Sequence, residues 1–183
     1  MDRAAAWELL SSKVADEYLI KHSLATEAIM RSLARKLGHD EELWGATGLL
    51  HDLDFPETKD TPERHGLLSA EMLQGSLPEE AVEAIKRHNA EALGLKRQTT
   101  LDLALSAAES ITGLVVATTL VYPDKKLQSV KPKSVVKRMK EKAFAAKVNR
   151  DMILLCEEIG VPLPEFAQLS VEAMRDISDE LGL

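Results

Sequence analysis

The chain has 183 residues, of which 45% are hydrophobic and 29% charged, and its formal net charge is −7 at pH 7. This length and composition are typical of a globular protein and exclude a disordered one, because the chain has enough apolar residues to bury a core. The negative charge argues against nonspecific binding to nucleic acid or to an anionic membrane, since nucleic acid and anionic lipids repel an acidic protein.

Apolar residues recur with a period near 3.6 in almost every long segment, which predicts an all-α fold. The first helix is expected over residues 4–13. The second is expected over residues 16–37, ending before Gly38, a residue that suits a left-handed helix cap. Asp40 is the expected cap of a third helix over residues 41–52.

The middle of the chain is predicted to be a loop followed by three helices. Two prolines among polar residues make an exposed loop the expectation for residues 53–64. Helices are expected at residues 65–74 and at about 78–88, where Pro78 in the first turn loses no hydrogen bond. A long apolar helix over residues 100–121 then closes the core.

Pro123 marks the one expected boundary in the chain. Residues 1–122 are predicted to form the helical core, and residues 123–183 a basic segment and C-terminal helices that pack on it within a single domain. The helices expected in this second part cover residues 134–142, 151–158 and 165–181.

The basic segment, residues 124–150, carries ten Lys or Arg against two acidic residues. It could form a solvated face, bind a substrate phosphate across a site, or pair with the acidic surface of a second copy of the chain. The solvated face is the simplest interpretation. The third interpretation leaves a homo-oligomer open.

A single cysteine, Cys156, excludes an intrachain disulfide and favours the cytoplasm. Its apolar neighbours predict a buried side chain rather than a reactive thiol. No window approaches the ~20 apolar residues of a membrane span, and the first residues lack the apolar region of a signal peptide. We therefore expect a cytoplasmic protein with no membrane partner.

Four of the five histidines fall on predicted helices or at their ends within the first ninety residues. They are His22, His51, His65 and His88. Imidazole is a common ligand of transition metals, and a metal site needs several ligands from separate elements. The fifth, His39, lies in a connector and is interpreted as an ordinary surface residue.

The pair His51-Asp52 follows an apolar run at the end of the third predicted helix. A carboxylate buried at this point requires a compensating cation, because an unpaired buried charge is costly. Taken alone, the pair is better interpreted as a helix C-terminus that His51 stabilises, with Asp52 solvated. The set of four histidines favours a metal site.

These residues together resemble the HD superfamily of metal-dependent phosphohydrolases. The family pattern is a histidine on a helix, a His-Asp pair, optional further histidines, and a carboxylate on a later helix. The resemblance spans residues 22–119. It implies an HD-type helical bundle with a C-terminal helical extension, in which metal-activated water cleaves a phosphomonoester or phosphodiester, with nucleotides among the candidate substrates.

The closing carboxylate departs from the family pattern, which has aspartate where this chain has Glu109. Asp102 is the competing ligand. It lies seven residues earlier, on nearly the same helix face but about 10 Å away along the axis. We favour Glu109.

The resemblance implies one or two divalent ions, with Mn, Fe, Co, Ni or Zn suited to imidazole and carboxylate ligands. The ligands that it implies for the first ion are His22, His51, Asp52 and Glu109. Those for a second ion are Asp52, His65 and His88.

Asp52 and Asp54 are the predicted catalytic residues. Asp54 could orient the attacking water or a ligand imidazole, or it could form only a local turn. Arg64, Lys86 and Arg87 flank ligand histidines and are candidates for binding substrate phosphate, against the alternative of solvated helix charges.

A second function stays open beside hydrolysis. A non-catalytic HD module could bind metal or a nucleotide in a regulatory role, and the departure at Glu109 is the feature that permits it. In either case the expected partner is a small phosphorylated molecule, and no nucleic acid is expected to bind.

Overall fold

The computed structural model describes residues 1–183 and is entirely helical, with no β-strand, which confirms the predicted all-α fold class. A short 3-10 helix at Leu127–Ser129 separates the first eight helices from the last four. The helices are α1 (Arg3–Lys13), α2 (Glu17–Leu37), α3 (Glu41–Leu50), α4 (Phe55–Thr58), α5 (Leu67–Leu73), α6 (Glu79–His88), α7 (Ala90–Leu93), α8 (Thr100–Leu120), α9 (Pro132–Arg138), α10 (Arg150–Glu158), α11 (Leu163–Asp176) and α12 (Ser178–Leu181).

Aspartate side chains cap the N-termini of the first three helices. Asp2, Asp16 and Asp40 each accept a hydrogen bond from a backbone N–H in the first turn of the helix that follows. Such caps satisfy donors that have no partner within the helix. At the other end of α2, Gly38 adopts the left-handed conformation with φ of 76°, as the sequence predicts.

The core is built around α8, which packs against α2, α6 and α10, while α2 also packs closely on α3. Gly48 permits this close approach, since a Cβ there would lie 3.0 Å from both Met30 Cγ and the Thr26 carbonyl oxygen. Buried apolar residues come from both sides of residue 122, with Leu105 and Phe166 as examples. The division at residue 122 stays a prediction.

By length and composition, α8 could cross a membrane, which the sequence analysis did not expect. However, 61% of its most apolar window is buried inside the fold. Asp102 and Glu109 also lie within this helix. Burial of this kind is typical of the central helix of a soluble protein.

The prediction of an exposed loop at residues 53–64 was wrong in part, although most of its side chains are exposed. This segment contains α4, and Leu53, Asp54 and Thr58 are buried. The physical reason is a contact that sequence periodicity does not report. The Asp54 carboxylate accepts hydrogen bonds from the backbone N–H groups of Gly66 and Ser69, which fold the segment inward.

Several predicted helix bounds also differ from the structure. Helix α5 begins at Leu67 rather than His65, because Gly66 has a φ of 84° and interrupts the helical path. The short helix α7 was not predicted. Helix α9 begins at Pro132 and ends at Arg138, and the predicted helix over 165–181 is divided at Ile177 into α11 and α12.

The prediction for Cys156 is confirmed. The side chain is fully buried within the core. Burial raises the pKa of its thiol to about 12, so the reactive thiolate is disfavoured at neutral pH.

Candidate metal centre

Six side chains from separate parts of the chain converge at one end of the helical core. His22 comes from α2, while the pair His51-Asp52 directly follows α3. The other three are His65, which precedes α5, His88, which ends α6, and Glu109, which lies in the middle of α8. Residues far apart in sequence thus form one cluster of imidazoles and carboxylates.

The cluster contains two groups of three potential ligands, in each of which the ligand atoms lie within 4.8 Å of one another. In the first group, His22 Nε2 and His51 Nε2 are 3.2 Å apart. Asp52 Oδ2 lies 3.6 Å from His22 Nε2 and 3.4 Å from His51 Nε2.

The second group uses the other oxygen of the same aspartate. Asp52 Oδ1 lies 3.3 Å from His65 Nε2 and 3.4 Å from His88 Nε2. The two imidazole nitrogens are 2.9 Å apart. Ligand atoms that each lie about 2.1 Å from a common ion are separated by about 3.0–3.4 Å, so the spacing in both groups fits a divalent transition metal. Each oxygen of Asp52 faces one of the two groups.

The four histidines all direct Nε2 toward the centre, because Nδ1 faces a partner on the outer side. His51 Nδ1 contacts the Gly48 carbonyl at 2.8 Å, and His88 Nδ1 contacts the Ile85 carbonyl. A backbone carbonyl only accepts hydrogen bonds, so both Nδ1 atoms carry the proton. When the rings are neutral, this leaves their Nε2 lone pairs available for a metal.

His22 is oriented by Thr112, a residue that the sequence analysis did not single out. The Thr112 hydroxyl donates to the Glu109 carbonyl oxygen at 2.6 Å. Its oxygen lies 3.0 Å from His22 Nδ1 and can therefore accept from that nitrogen. Threonine has no sequence signal for this role, since its helical position predicts only packing.

Asp54 lies against the outer nitrogen of His65. Its Oδ1 accepts a hydrogen bond from His65 Nδ1 at 2.8 Å, while its Oδ2 accepts from the N–H groups of Gly66 and Ser69 at 2.8 and 2.9 Å. Burial acts to raise the pKa of Asp54, but these hydrogen bonds outweigh burial and hold the pKa below its usual value. The carboxylate therefore stays ionised. Of the alternatives for Asp54, the structure places it as the partner of an imidazole.

Glu109 and Asp102 occupy different environments on α8. Glu109 Oε2 lies 3.6 Å from His51 Nε2, at the margin of the cluster. Burial, reinforced by the negative charge of Asp52, raises the pKa of Glu109 to about 7. Asp102 instead accepts hydrogen bonds from the Gln98 and Thr99 N–H groups and from the Thr99 hydroxyl, and so caps the start of α8.

The histidines divide into two pairs by their electrostatics. Burial lowers the pKa of His22, and it lowers the pKa of His51 to about 3. Burial acts in the same direction on His65 and His88, but hydrogen bonds to carboxylates outweigh it, so that the pKa of His65 reaches about 10 and that of His88 is also raised. The raised pKa values favour the protonated forms of His65 and His88, whose positive charge would offset the negative charge of Asp52 and Asp54 in the absence of a metal.

None of the three residues predicted to bind substrate lines the cleft of about 730 Å³ beside this cluster. Lys86 Nζ pairs with Glu83 at 3.3 Å. Arg87 pairs with Glu83 at 2.8 Å and with Asp102 at 3.4 Å. Arg64 is exposed. The fifth histidine, His39, is exposed as expected, and its ring stacks on Trp44 at a centroid distance of 4.7 Å.

The cluster opens to a cleft of about 730 Å³. His22, Asp52 and Glu109 line it together with residues that the sequence analysis did not assign to a site. These are Lys13, Ala15, Asp16, Tyr18, Leu19, Phe55, Pro56, Lys59 and Lys147. A cleft of this volume is within the range of small-molecule sites.

The comparisons with known proteins identify the family. A family model described as HD domain matches residues 19–114, which is more than half of the chain. Comparisons with curated proteins and with solved structures gave no match. The matched range contains all six residues of the cluster. The chain therefore belongs to the HD domain family.

Proposed function

We propose that this protein is a metal-dependent phosphohydrolase that cleaves a phosphomonoester or phosphodiester. The observation that supports the proposal is Asp52, which directs one carboxylate oxygen to each of two imidazole pairs. His22, His51 and Asp52, with Glu109 at the margin, would hold one ion, and Asp52, His65 and His88 a second. The mixed ligand set suits Mn, Fe, Co, Ni or Zn.

When bound, a divalent ion supplies a hydroxide at neutral pH and neutralises charge on the phosphoryl oxygens. The chain's own contribution is to fix the ligands. Thr112 and Asp54 accept hydrogen bonds from His22 and His65, which holds those rings in one orientation. Glu109, with a pKa of about 7, can take up and release a proton at its carboxylate near neutral pH.

The cleft determines which substrates can approach the cluster. Its volume of about 730 Å³ suits a small phosphorylated molecule, and nucleotides are among the candidates. Phe55 and Leu19 give it apolar walls. We propose a cytoplasmic enzyme that acts on such a small molecule, with neither nucleic acid nor a membrane as its partner.

A non-catalytic HD module is the second candidate. Glu109 is the observation that favours it, because glutamate stands where the family pattern has aspartate and lies 3.6 Å from His51 rather than within the group of His22, His51 and Asp52. A protein of this kind would bind metal or nucleotide without turnover.

The test is metal analysis and activity of Asp52→Ala beside the wild type. We expect the wild type to bind metal and to hydrolyse p-nitrophenyl phosphate, bis-p-nitrophenyl phosphate or a member of a nucleotide panel with added Mn, Co or Ni. Asp52→Ala should lose both properties and keep its helical circular dichroism spectrum. Asp60→Ala, at an exposed position with no ion pair, is the matched control.

Two results would contradict the proposal in different ways. Unchanged metal content in Asp52→Ala would refute the assignment of the metal site. Metal binding by the wild type without turnover of any substrate in the panel would refute the hydrolase and favour the binding module.

A further inference from the structure

The C-terminal extension, defined here as residues 123–183, lies outside the matched range 19–114. It nevertheless contributes to the cleft beside the cluster of imidazoles and carboxylates. Its contribution is Lys147, which lines the same cleft as His22, Asp52 and Glu109. We propose that Lys147, together with Lys13 and Lys59, forms a cationic rim that binds the phosphate of the substrate. The inference rests on the proposed function, because it assigns the recognition of the same phosphorylated substrate.

The segment that carries Lys147 is held against the matched part of the chain. Val148 packs on α8 at Gly113, where an added Cβ would lie 3.2 Å from Val148 Cγ2. Gly113 is four residues after Glu109, so it lies on the same face of α8 about one turn away. This contact fixes the neighbouring Lys147 beside the cluster.

The turn before Val148 is also fixed from within. The Arg150 guanidinium donates hydrogen bonds to four backbone carbonyls, including those of Ala145 at 3.2 Å and Val148 at 2.9 Å. The other two are those of Glu141 and Phe144. Arg138 adds a cation–π contact, with its guanidinium carbon 4.3 Å from the centre of the Phe144 ring. The turn that presents Lys147 is therefore an ordered part of the fold.

The three rim lysines are free to bind an anion. Each is exposed, and none forms an ion pair within the protein. Besides Asp52 and Glu109, the cleft is lined by one further acidic residue, Asp16, whose carboxylate already accepts hydrogen bonds from N–H groups at the start of α2. The three lysines come from different segments of the chain, and the fold brings them to one cleft.

Charge complementarity supports phosphate as the ligand. The floor of the cleft contains Asp52 and Glu109, whose negative charge a bound divalent ion would offset. The rim then adds three positive charges in a protein whose formal net charge is −7. An anionic ester is drawn to such a local positive field, and a lysine ammonium can donate hydrogen bonds to its oxygens.

The experiment measures phosphate recognition separately from turnover. In Mn-loaded protein, Lys147→Ala should bind inorganic phosphate about tenfold more weakly by calorimetry and raise KM for p-nitrophenyl phosphate about tenfold with little change in kcat. Lys147→Arg keeps the charge and should stay near the wild type. Lys140→Ala, an exposed and unpaired lysine of the same basic segment outside the cleft, is the control and should change neither quantity.

The outcomes separate this inference from the proposed function. Equal phosphate affinity in Lys147→Ala and Lys140→Ala, or no phosphate binding by the Mn-loaded wild type, would overturn the cationic rim. If the wild type binds phosphate but turns over no substrate, the hydrolase is refuted. A selective loss of phosphate binding in Lys147→Ala would still support the rim in that case.

Discussion

Replacing Asp54 by asparagine tests whether the partner of His65 controls metal binding. The carboxylate uses both oxygens, since Oδ1 accepts from His65 Nδ1 and Oδ2 accepts from two backbone N–H groups. Asparagine keeps one acceptor oxygen and places an NH₂ group on the other side. The effect therefore depends on which side receives the NH₂.

The amide should turn its NH₂ toward His65. The opposite orientation would leave the N–H groups of Gly66 and Ser69 without an acceptor, and each buried unpaired donor costs about 1–3 kcal/mol. The imidazole avoids a clash of donors by giving up its Nδ1 proton and keeping one on Nε2. That proton then occupies the nitrogen that faces Asp52 at 3.3 Å, so His65 can no longer act as a ligand.

We expect Asp54→Asn to fold with an unfolding free energy about 1–3 kcal/mol below that of the wild type. Its affinity for Mn²⁺ should fall about 10- to 100-fold, as is typical when the partner of a ligand imidazole is changed. Urea unfolding and Mn²⁺ calorimetry measure the two quantities. Asp60→Asn is the control, and Mn²⁺ binding by Asp54→Asn as tight as that of the control would refute the reasoning.

Three further outcomes are expected. Burial raises the pKa of Glu109 to about 7 from 4.5, so the metal-free folded state keeps a proton that the unfolded state has released, and stability falls as pH rises through this range. Glu109→Gln should remove this part of the pH dependence in urea unfolding, and identical curves for the two proteins would contradict it. Burial acts to lower the pKa of His65, but its carboxylate partners outweigh burial and raise the pKa to about 10. Binding of Mn²⁺ must therefore displace a proton, and calorimetry in buffers of different ionisation enthalpy should detect its release. An Mn²⁺ affinity that is constant between about pH 6 and 8 would show that no proton is displaced. Gly48→Ala should lower the unfolding free energy by about 1–3 kcal/mol, because its Cβ would lie 3.0 Å from Met30 Cγ. An unchanged unfolding free energy in urea would mean that α2 and α3 can move apart for the added methyl group without loss of stability.

Local periodicity was sufficient to predict the helical fold but not the contacts that complete the site. Asp40 and Gly38 act within one helical turn, so their roles could be predicted from neighbouring residues. Asp54 contacts Ser69 across fifteen positions, and the two prolines between them suggested a solvated loop instead. A tertiary hydrogen bond of this kind leaves no periodic signal.

The residues around the cluster of imidazoles and carboxylates show the same limit of prediction from local sequence. The histidines could be selected because few residue types bind transition metals, and a family pattern relates their spacing. Lys147 is one of ten cations in the basic segment, and nothing in the sequence distinguishes it from the others. The tertiary contacts of its neighbours, such as the packing of Val148 on α8, determine which lysine reaches the cleft.

The way in which Arg150 holds its turn affects how this protein can diversify. Arg150 binds carbonyl oxygens, which every amino acid supplies, so the backbone path does not depend on the exposed side chains at Lys142, Ala143, Ala146 and Lys147. Substitutions at such surface positions usually change stability by less than about 0.5 kcal/mol. Mutation can therefore alter the charge and size of the side chain at position 147, which lines the cleft, while the potential metal ligands, encoded elsewhere in the chain, are retained. Under the proposed function, the extension gives evolution a route to new substrate preferences that leaves the reaction chemistry in place.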